Sequence, residues 1–251
     1  MIEDFKIVIP ARYESSRFPG KPLADIHGKP MIQRVYETAM EAGANEVIIA
    51  TDSTMIGMAA EEFGATVCMT LEAHHSGTDR LSEVAEKQGW PDDTVVVNLQ
   101  GDEPLTPPVI IKQVAVNLLK NPEADCATLY TGLSHEDADD PNIVKLVADA
   151  NGFALYFSRS VIPYARDPDD ALMARLMYKR HLGLYAYKVG LLRMFRNMKP
   201  CELELAEKLE QLRLMWNGMK IHVAQANSVP GHGVDTPEDL ERVRTAMLPD
   251  R

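Results

Sequence analysis

The sequence predicts an α/β protein built on a mostly parallel sheet, and three observations carry that prediction. Short β-branched runs alternate with amphipathic stretches through the first half of the chain, the pattern of strands joined by crossover helices. Those runs are too apolar to face water and suit a sheet covered on both faces. The 251 residues, 45% hydrophobic and 25% charged, suffice for one large domain with a buried core.

Residues 5–10 (FKIVIP), 46–50 (EVIIA), 65–69 (ATVCM) and 94–99 (TVVVNL) read as the core strands. Between the first two, residues 30–42 place Met31, Val35, Ala39 and Ala42 on one helical face. Residues 54–63 form a second helix behind Asp52 or Ser53, and residues 79–88 a third behind Thr78 as N-cap. Gly43 and Gly64 fit as C-terminal caps of the first two. A helix over 109–119, after Pro107, leads to a strand at 126–130. Residues 143–148 and 153–157, split by Asn151-Gly152, read as a hairpin and belong to an inserted sub-region over 132–217 of a single 1–251 domain. Residues 163–180, rich in Asp, Arg and Pro without clean periodicity, read as a long loop able to close over a ligand. A strand at 182–187, a helix over 203–216, a strand at 220–224 and a last helix over 237–247 behind Thr236 complete the chain.

Composition narrows the partners. No apolar run approaches the roughly 18 residues of a membrane helix, and 26 Lys plus Arg against 37 Asp plus Glu give a net charge of −11. That field disfavours nucleic acid and anionic membranes, so an anionic ligand must meet a local pocket. Cys68, Cys126 and Cys201 are widely spaced and odd in number, which reads as buried thiols in a reducing compartment. The acidic start Met1-Ile2-Glu3-Asp4-Phe5 is unlike a signal peptide, so a cytoplasmic location is expected.

The first strand runs into residues 10–22 (PARYESSRFPGKP), where Arg12, Arg17 and Lys21 cluster at the sheet edge at which a doubly wound fold binds its ligand. Three cations there suit a polyphosphate. The loop is not a Walker A motif, because Ser15 stands where its first glycine belongs and Pro22 replaces the Ser/Thr. The fourth strand ends in Asn98-Leu99-Gln100-Gly101-Asp102-Glu103-Pro104, and Asp102 is placed to hold magnesium beside a triphosphate; Glu103 fits a turn role equally well. Near the end, Gly231-His232-Gly233-Val234-Asp235-Thr236-Pro237 brings a third acid. Thr236 before Pro237, with Asp239 following, fits the helix cap, so Asp235 is not needed as one and meets Asp102 at one metal. In residues 74–80 (HHSGTDR), Ser76, Gly77 and Arg80 suit a base edge better than His74 and His75 suit zinc. His181 reads by default as a core histidine.

Taken together, IPARYESSRFPGKPL, HHSGTDR, NLQGDEP, ALYFSRSVIP, HLGLYAY, LEQLR and PGHGVDTPEDL resemble, in order and over nearly the whole chain, the 3-deoxy-manno-octulosonate cytidylyltransferase family, whose members make CMP-Kdo. The first and third segments are shared more loosely with CMP-sialic acid synthetases; HLGLYAY, LEQLR and VDTPEDL are more specific. The resemblance implies a Rossmann-like, glycosyltransferase-A type, mixed but mostly parallel sheet, usually in a homodimer, with the 132–217 sub-region serving the sugar and the dimer contact. It implies a reaction of CTP with an acidic 3-deoxy-octulosonate sugar, releasing pyrophosphate, with magnesium as cofactor, for lipopolysaccharide synthesis. Residue by residue, it implies that Arg12, Arg17 and Lys21 hold the phosphates and that Ser76, Gly77, Arg80 and Gln100 surround the cytidine. Asp102 and Asp235 bind the metal, Arg12, Lys21 and both acids form the catalytic set, and Arg159, His181, Tyr185, Glu210 and Gln211 face the sugar. Val161, Ala165 and Lys188 depart from the family's usual residues near that sugar. An 8-amino-3,8-dideoxy acceptor, a sugar-phosphate acceptor and a non-catalytic nucleotide sensor are the alternatives.

Overall fold

The computed structural model describes residues 4–14, 18–74, 76–166 and 177–248. The elements of the first half are β1 (Lys6–Ala11), the short pair β2 (Asp25–Ile26) and β3 (Lys29–Pro30), α1 (Met31–Glu41), β4 (Glu46–Thr51), α2 (Thr54–Glu62), β5 (Thr66–Met69), α3 (Gly77–Lys87), β6 (Val95–Asn98) and α4 (Pro108–Lys120). The second half contributes β7 (Cys126–Leu133), β8 (Lys145–Ala148), β9 (Ala154–Ser158), β10 (Tyr178–Lys188), α5 (Val189–Phe195), α6 (Glu202–Glu207), α7 (Gln211–Trp216), β11 (Ile221–Gln225) and α8 (Pro237–Ala246).

Among the described residues nine strands form one sheet, whose main path is β11-β7-β10-β6-β1-β4-β5, with β8 and β9 attached through β10. β6, β1, β4 and β5 run parallel, as the apolar runs predict, and β11 runs parallel to β7. β10 runs antiparallel to both β6 and β7 and makes the sheet mixed. Apolar side chains cover both faces. Ile7, Ile9, Val47, Ile49, Val95 and Val97 pack against α1, α2 and α4, while Val8, Ile48, Val96 and Tyr187 pack against α3, α5 and α7. This burial on two faces is why the strands read as continuous apolar runs. The three cysteines are buried, and burial pushes the Cys126 thiol far above its ordinary range. No helix among the described residues is long and apolar enough to cross a membrane.

Four local expectations change. The N-cap of α3 is Ser76, not Thr78: the Ser76 hydroxyl accepts from Asp79 N–H while the Asp79 carboxylate accepts from Ser76 N–H, so the helix starts two residues early. The single helix expected over 203–216 is two short ones, because Lys208 takes a left-handed conformation (φ 55°) between α6 and α7. Glu204 folds across the break with both carboxylate oxygens on Arg213, at 2.8 and 2.5 Å, and the Arg213 guanidinium lies over the Phe195 ring. Part of the 163–180 loop is strand, since β10 begins at Tyr178; residues 167–176 lie outside the described residues. α5, which follows β10 directly, is absent from the sequence reading.

Candidate active site

The carboxyl ends of the parallel strands open into a cleft of about 910 Å³, lined by residues from the ends of β1 and β6, from α3 and from the segment before α8. Gly101 lets the end of β6 close on β1: a Cβ there would lie 2.9 Å from the Pro10 carbonyl oxygen. That approach brings Asp102 to the first-strand loop. The segment before α8 is tied to the same place, with Val234 N–H donating to Asp102 O at 2.8 Å and Gly231 N–H to Leu105 O at 3.2 Å.

Lys21 stands where these segments meet. Its Nζ donates to Asp102 Oδ2 at 2.5 Å and to Val234 O at 2.8 Å, and it lies 3.5 Å from Asp235 Oδ1. The structure thus brings together three residues 214 positions apart in sequence, with one ammonium between two carboxylates. Thr236 caps α8 with Asp239 in the reciprocal arrangement the sequence indicates. Beside them, Glu103 is pushed up to about 7, chiefly by burial and then by the Asp102 charge.

Arg12 faces the cleft from the other side, its Nη1 donating to His74 O at 3.5 Å. The strand-to-helix loop carrying His74 is anchored by Glu83, which accepts from Leu71 N–H at 2.9 Å, His74 Nε2 at 2.5 Å and Lys87 Nζ at 2.7 Å. Burial alone would raise Glu83, but the donors Lys87, Leu71 N–H and His74 outweigh it and hold the carboxyl at about 2. The amino end of the 11-residue α3, at Gly77, opens into the cleft and adds the positive end of a helix dipole. Arg80, 1% exposed, lines the cleft from α3, and Gln100 and Gly101 line it from β6. Arg17 lies outside the described residues.

A second cavity of about 300 Å³ adjoins the cleft and shares Gly77 and Gln100 with it. His181, Tyr185, Glu210 and Gln211 line it, together with Ser76, Thr78, Asn98 and Tyr187. β10 forms its wall. Pairing with β7 steps from Leu182–Leu129 to Tyr185–Thr128, leaving Gly183 and Leu184 unpaired on β7, and the Thr128 hydroxyl lies 2.9 Å from the carbonyl oxygens of both Leu182 and Leu184. After the helix break at Lys208, Glu210 Oε1 accepts from Thr78 Oγ1 at 2.6 Å, and burial raises its carboxyl. Three buried polar atoms here, Asn98 Oδ1, Tyr185 Oη and Gln211 Nε2, have no hydrogen-bond partner among the described residues. Each costs about 1–3 kcal/mol if it meets neither water nor ligand, so the wall is polar and built to be filled.

His181 combines the two sequence readings: its ring packs edge-on against Phe157 and Tyr185, and it also lines the cavity. Burial holds its pKa down to about 3. A folded value below the unfolded one of about 6.5 means that neutral His181 contributes stability fully above that value, which is lost as pH falls toward 3. Ring NMR between pH 8 and 4 is expected to show His181 neutral throughout; a midpoint above 5 would contradict this. Arg159 is in neither cavity lining. Its Nε donates to Glu207 O and its Nη1 to Pro141 O, holding the turn after β9. The sequence reading gives Asn98, Thr78 and Tyr187 no place in a site; the alternation Tyr185-Ala186-Tyr187 and an Asn at the end of an apolar strand are the signals for Tyr187 and Asn98.

A mostly parallel sheet with a nucleotide-sized cleft at its carboxyl edge that holds Arg12, Lys21 and Arg80, two carboxylates on one ammonium and an adjoining polar cavity has the parts of a nucleotidyltransferase. The family model described as Cytidylyltransferase matches residues 6–221. The 3-deoxy-manno-octulosonate cytidylyltransferase of Vibrio parahaemolyticus serotype O3:K6 is 57% identical over 97% of this chain and 98% of its own length. The enzyme of the same name from Pseudomonas syringae pv. tomato is 55% identical over 98% and 99%. The solved structure of CMP:2-keto-3-deoxy-manno-octonic acid synthetase complexed with CTP superposes with a TM-score of 0.90 at 44% identity, covering 97% of this chain and 98% of that one. The chain belongs to the 3-deoxy-manno-octulosonate cytidylyltransferase family.

Proposed function

We propose that the protein joins CTP and 3-deoxy-manno-octulosonate (Kdo) with release of pyrophosphate, giving CMP-Kdo for lipopolysaccharide synthesis. The observation that carries this reading is the junction of the two cavities at Gly77 and Gln100, which sets a nucleotide-sized cleft against a polar acceptor pocket. The reactivity follows from placement. The anomeric 2-hydroxyl of the sugar acid attacks the α-phosphorus of CTP in line and gives its proton to water; a C2–O–P bond forms, and the bond from that phosphorus to the oxygen bridging the α- and β-phosphates breaks, that oxygen leaving as a terminal oxygen of pyrophosphate. Lys21, Arg12, the α3 amino end and Arg17 hold the phosphates and offset charge growing on the leaving group. Ser76, Gly77, Arg80 and Gln100 hold the cytidine, and His181, Tyr185, Glu210 and Gln211 orient the acceptor, the last through its unpaired Nε2. Arg159 acts on the acceptor through the turn that it holds.

Two carboxylates from separate loops, approaching one cation position at the edge of a cleft, are the hard oxygen donors that magnesium takes beside phosphate oxygens. Asp102 and Asp235 would hold it. Magnesium bound there supplies positive charge at the α-phosphate and lowers the pKa of the attacking hydroxyl. The single domain, with residues 132–217 inserted for sugar binding and dimer contact, acts in the cytoplasm as a homodimer; exposed Leu203, Leu205 and Trp216 on α6 and α7 support that contact.

The test is pyrophosphate release with magnesium, CTP and either Kdo or its 8-amino analogue, beside UTP and a no-acceptor control. Release with Kdo is expected. Preference for the amino sugar would reassign the acceptor, and silence with both despite CTP binding would make the protein a nucleotide sensor.

A further inference from the structure

Arg80 lines the cleft from a buried position, and two groups outside the cleft lining hold its guanidinium. Its Nη2 donates to Asp52 Oδ2 at 2.6 Å, and its Nη1 donates to the Thr70 hydroxyl. Asp52 follows β4 directly and Thr70 follows β5; Thr70 N–H donates to Thr51 O at 2.8 Å, so both partners are fixed to adjacent strand ends. The sequence offers Asp52 or Ser53 as the cap of α2. In the structure Ser53 takes the cap, and the Asp52 carboxylate turns to Arg80.

A guanidinium is planar, stays charged and can only donate. With one N–H of each terminal nitrogen committed to Asp52 and Thr70, its plane is set and the remaining N–H groups point in fixed directions. A base beside it is read by what it accepts. Cytosine presents two adjacent acceptors, O2 and N3, on its pairing edge, whereas uracil presents an N–H at N3, which meets a donor with a donor. A guanidinium free to tilt escapes that clash by using O2 alone. A fixed one does not, and a buried polar mismatch is the strongest source of discrimination available to a site.

We infer that Asp52 is a positioning residue: by fixing the Arg80 guanidinium, with Thr70 as the second anchor, it sets the preference for cytosine over uracil nucleotides. This rests on the reading of the cleft as the CTP site. Asp52 also supplies the carboxylate paired with Arg80, without which a buried guanidinium is costly.

The experiment compares wild type, Asp52→Asn, Asp52→Glu and Thr70→Val by calorimetry with CTP and UTP in the presence of magnesium, together with KM and kcat for CTP and a melting curve for each. Asp52→Asn is expected to weaken CTP by about tenfold and to shrink the CTP-to-UTP ratio by at least about fivefold, with kcat within about threefold of wild type. Thr70→Val is expected to shift the ratio in the same direction by less, and Asp52→Glu to restore part of it. A purely structural role would weaken both nucleotides alike and leave the ratio where it was, and that result overturns the assignment. Should Asp52→Asn fail to fold, Thr70→Val decides: an unchanged ratio there overturns it equally. Wild type that prefers CTP yet releases no pyrophosphate with Kdo would overturn the transferase reading alone. Turnover by wild type with an unchanged ratio in Asp52→Asn would overturn the Asp52 assignment alone.

Discussion

Asp102→Asn is expected to lower kcat by about 10³-fold while changing CTP affinity by less than about tenfold. The asymmetry follows from what the carboxylate touches. Its Oδ2 lies 2.5 Å from Lys21 Nζ, and Asp235 Oδ1 lies 3.5 Å from the same ammonium. In the proposed reading, binding of the nucleotide draws on several independent groups that line the cleft, namely Arg12, the amino end of α3 and Arg80, and these are untouched by the substitution. In the proposed reading the positive charge that meets the α-phosphorus as it changes partners comes from the lysine and from the magnesium that the two acids would hold, so the loss falls on turnover. The asparagine is nearly isosteric and keeps an oxygen for Lys21, which makes the effect one of charge rather than shape. Steady-state kinetics with calorimetric CTP binding separate the two quantities. Equal loss of affinity and turnover would remove Asp102 from the chemical step.

Lys145→Met is expected to destabilise the fold by about 3 kcal/mol, a fall in melting temperature of about 6–12 °C for a chain of this size. Lys145 is fully buried, and its Nζ donates to the carbonyl oxygens of Asp140, Ile143 and Arg159, at 2.9, 2.7 and 2.5 Å. Methionine replaces the stem but leaves three part-buried carbonyls without this donor. Because one of them belongs to Arg159, the turn after β9 loosens too, and any loss of Kdo affinity should exceed the loss of CTP affinity. Chemical denaturation measures the first effect; a change below about 1 kcal/mol would show that water replaces the ammonium without penalty.

Legibility in the sequence followed the reach of each interaction. β1, β4, β5 and β6 were readable because both faces of each are buried, which leaves an uninterrupted apolar run. Lys21, Asp102 and Asp235 were readable as polar residues beside glycine and proline at strand or helix ends, where a doubly wound sheet places its ligand. The break at Lys208 was not, because no glycine or proline marks it: the helical spacing of residues 203–216 continues through it, and the cause is the Glu204–Arg213 pair seated on Phe195. Thr78 looked like a cap because hydroxyl residues suit that position; Ser76, with Asp79 three residues on, suits it better, and Thr78 went to Glu210, 132 positions away. The outward resemblance of the whole chain to its family supplied His181 and Gln211, which local spacing did not.

The place of β10 in the sheet also governs how the molecule is made. β7 has two neighbours, β10 and β11, and both follow it in the chain. As the polypeptide leaves the ribosome amino end first, β1, β4, β5 and β6 can assemble with α1 to α3 as soon as residue 98 has emerged. β7 then waits without a partner through the synthesis of at least 45 residues, from Leu133 to Tyr178, until β10 slides between it and β6 and joins the two halves. α4, already synthesised, can cover Ala127 and Leu129, but both hydrogen-bonding edges of β7 stay unpaired for that interval, which makes the 126–133 segment the place where a nascent chain of this protein most needs protection from other chains.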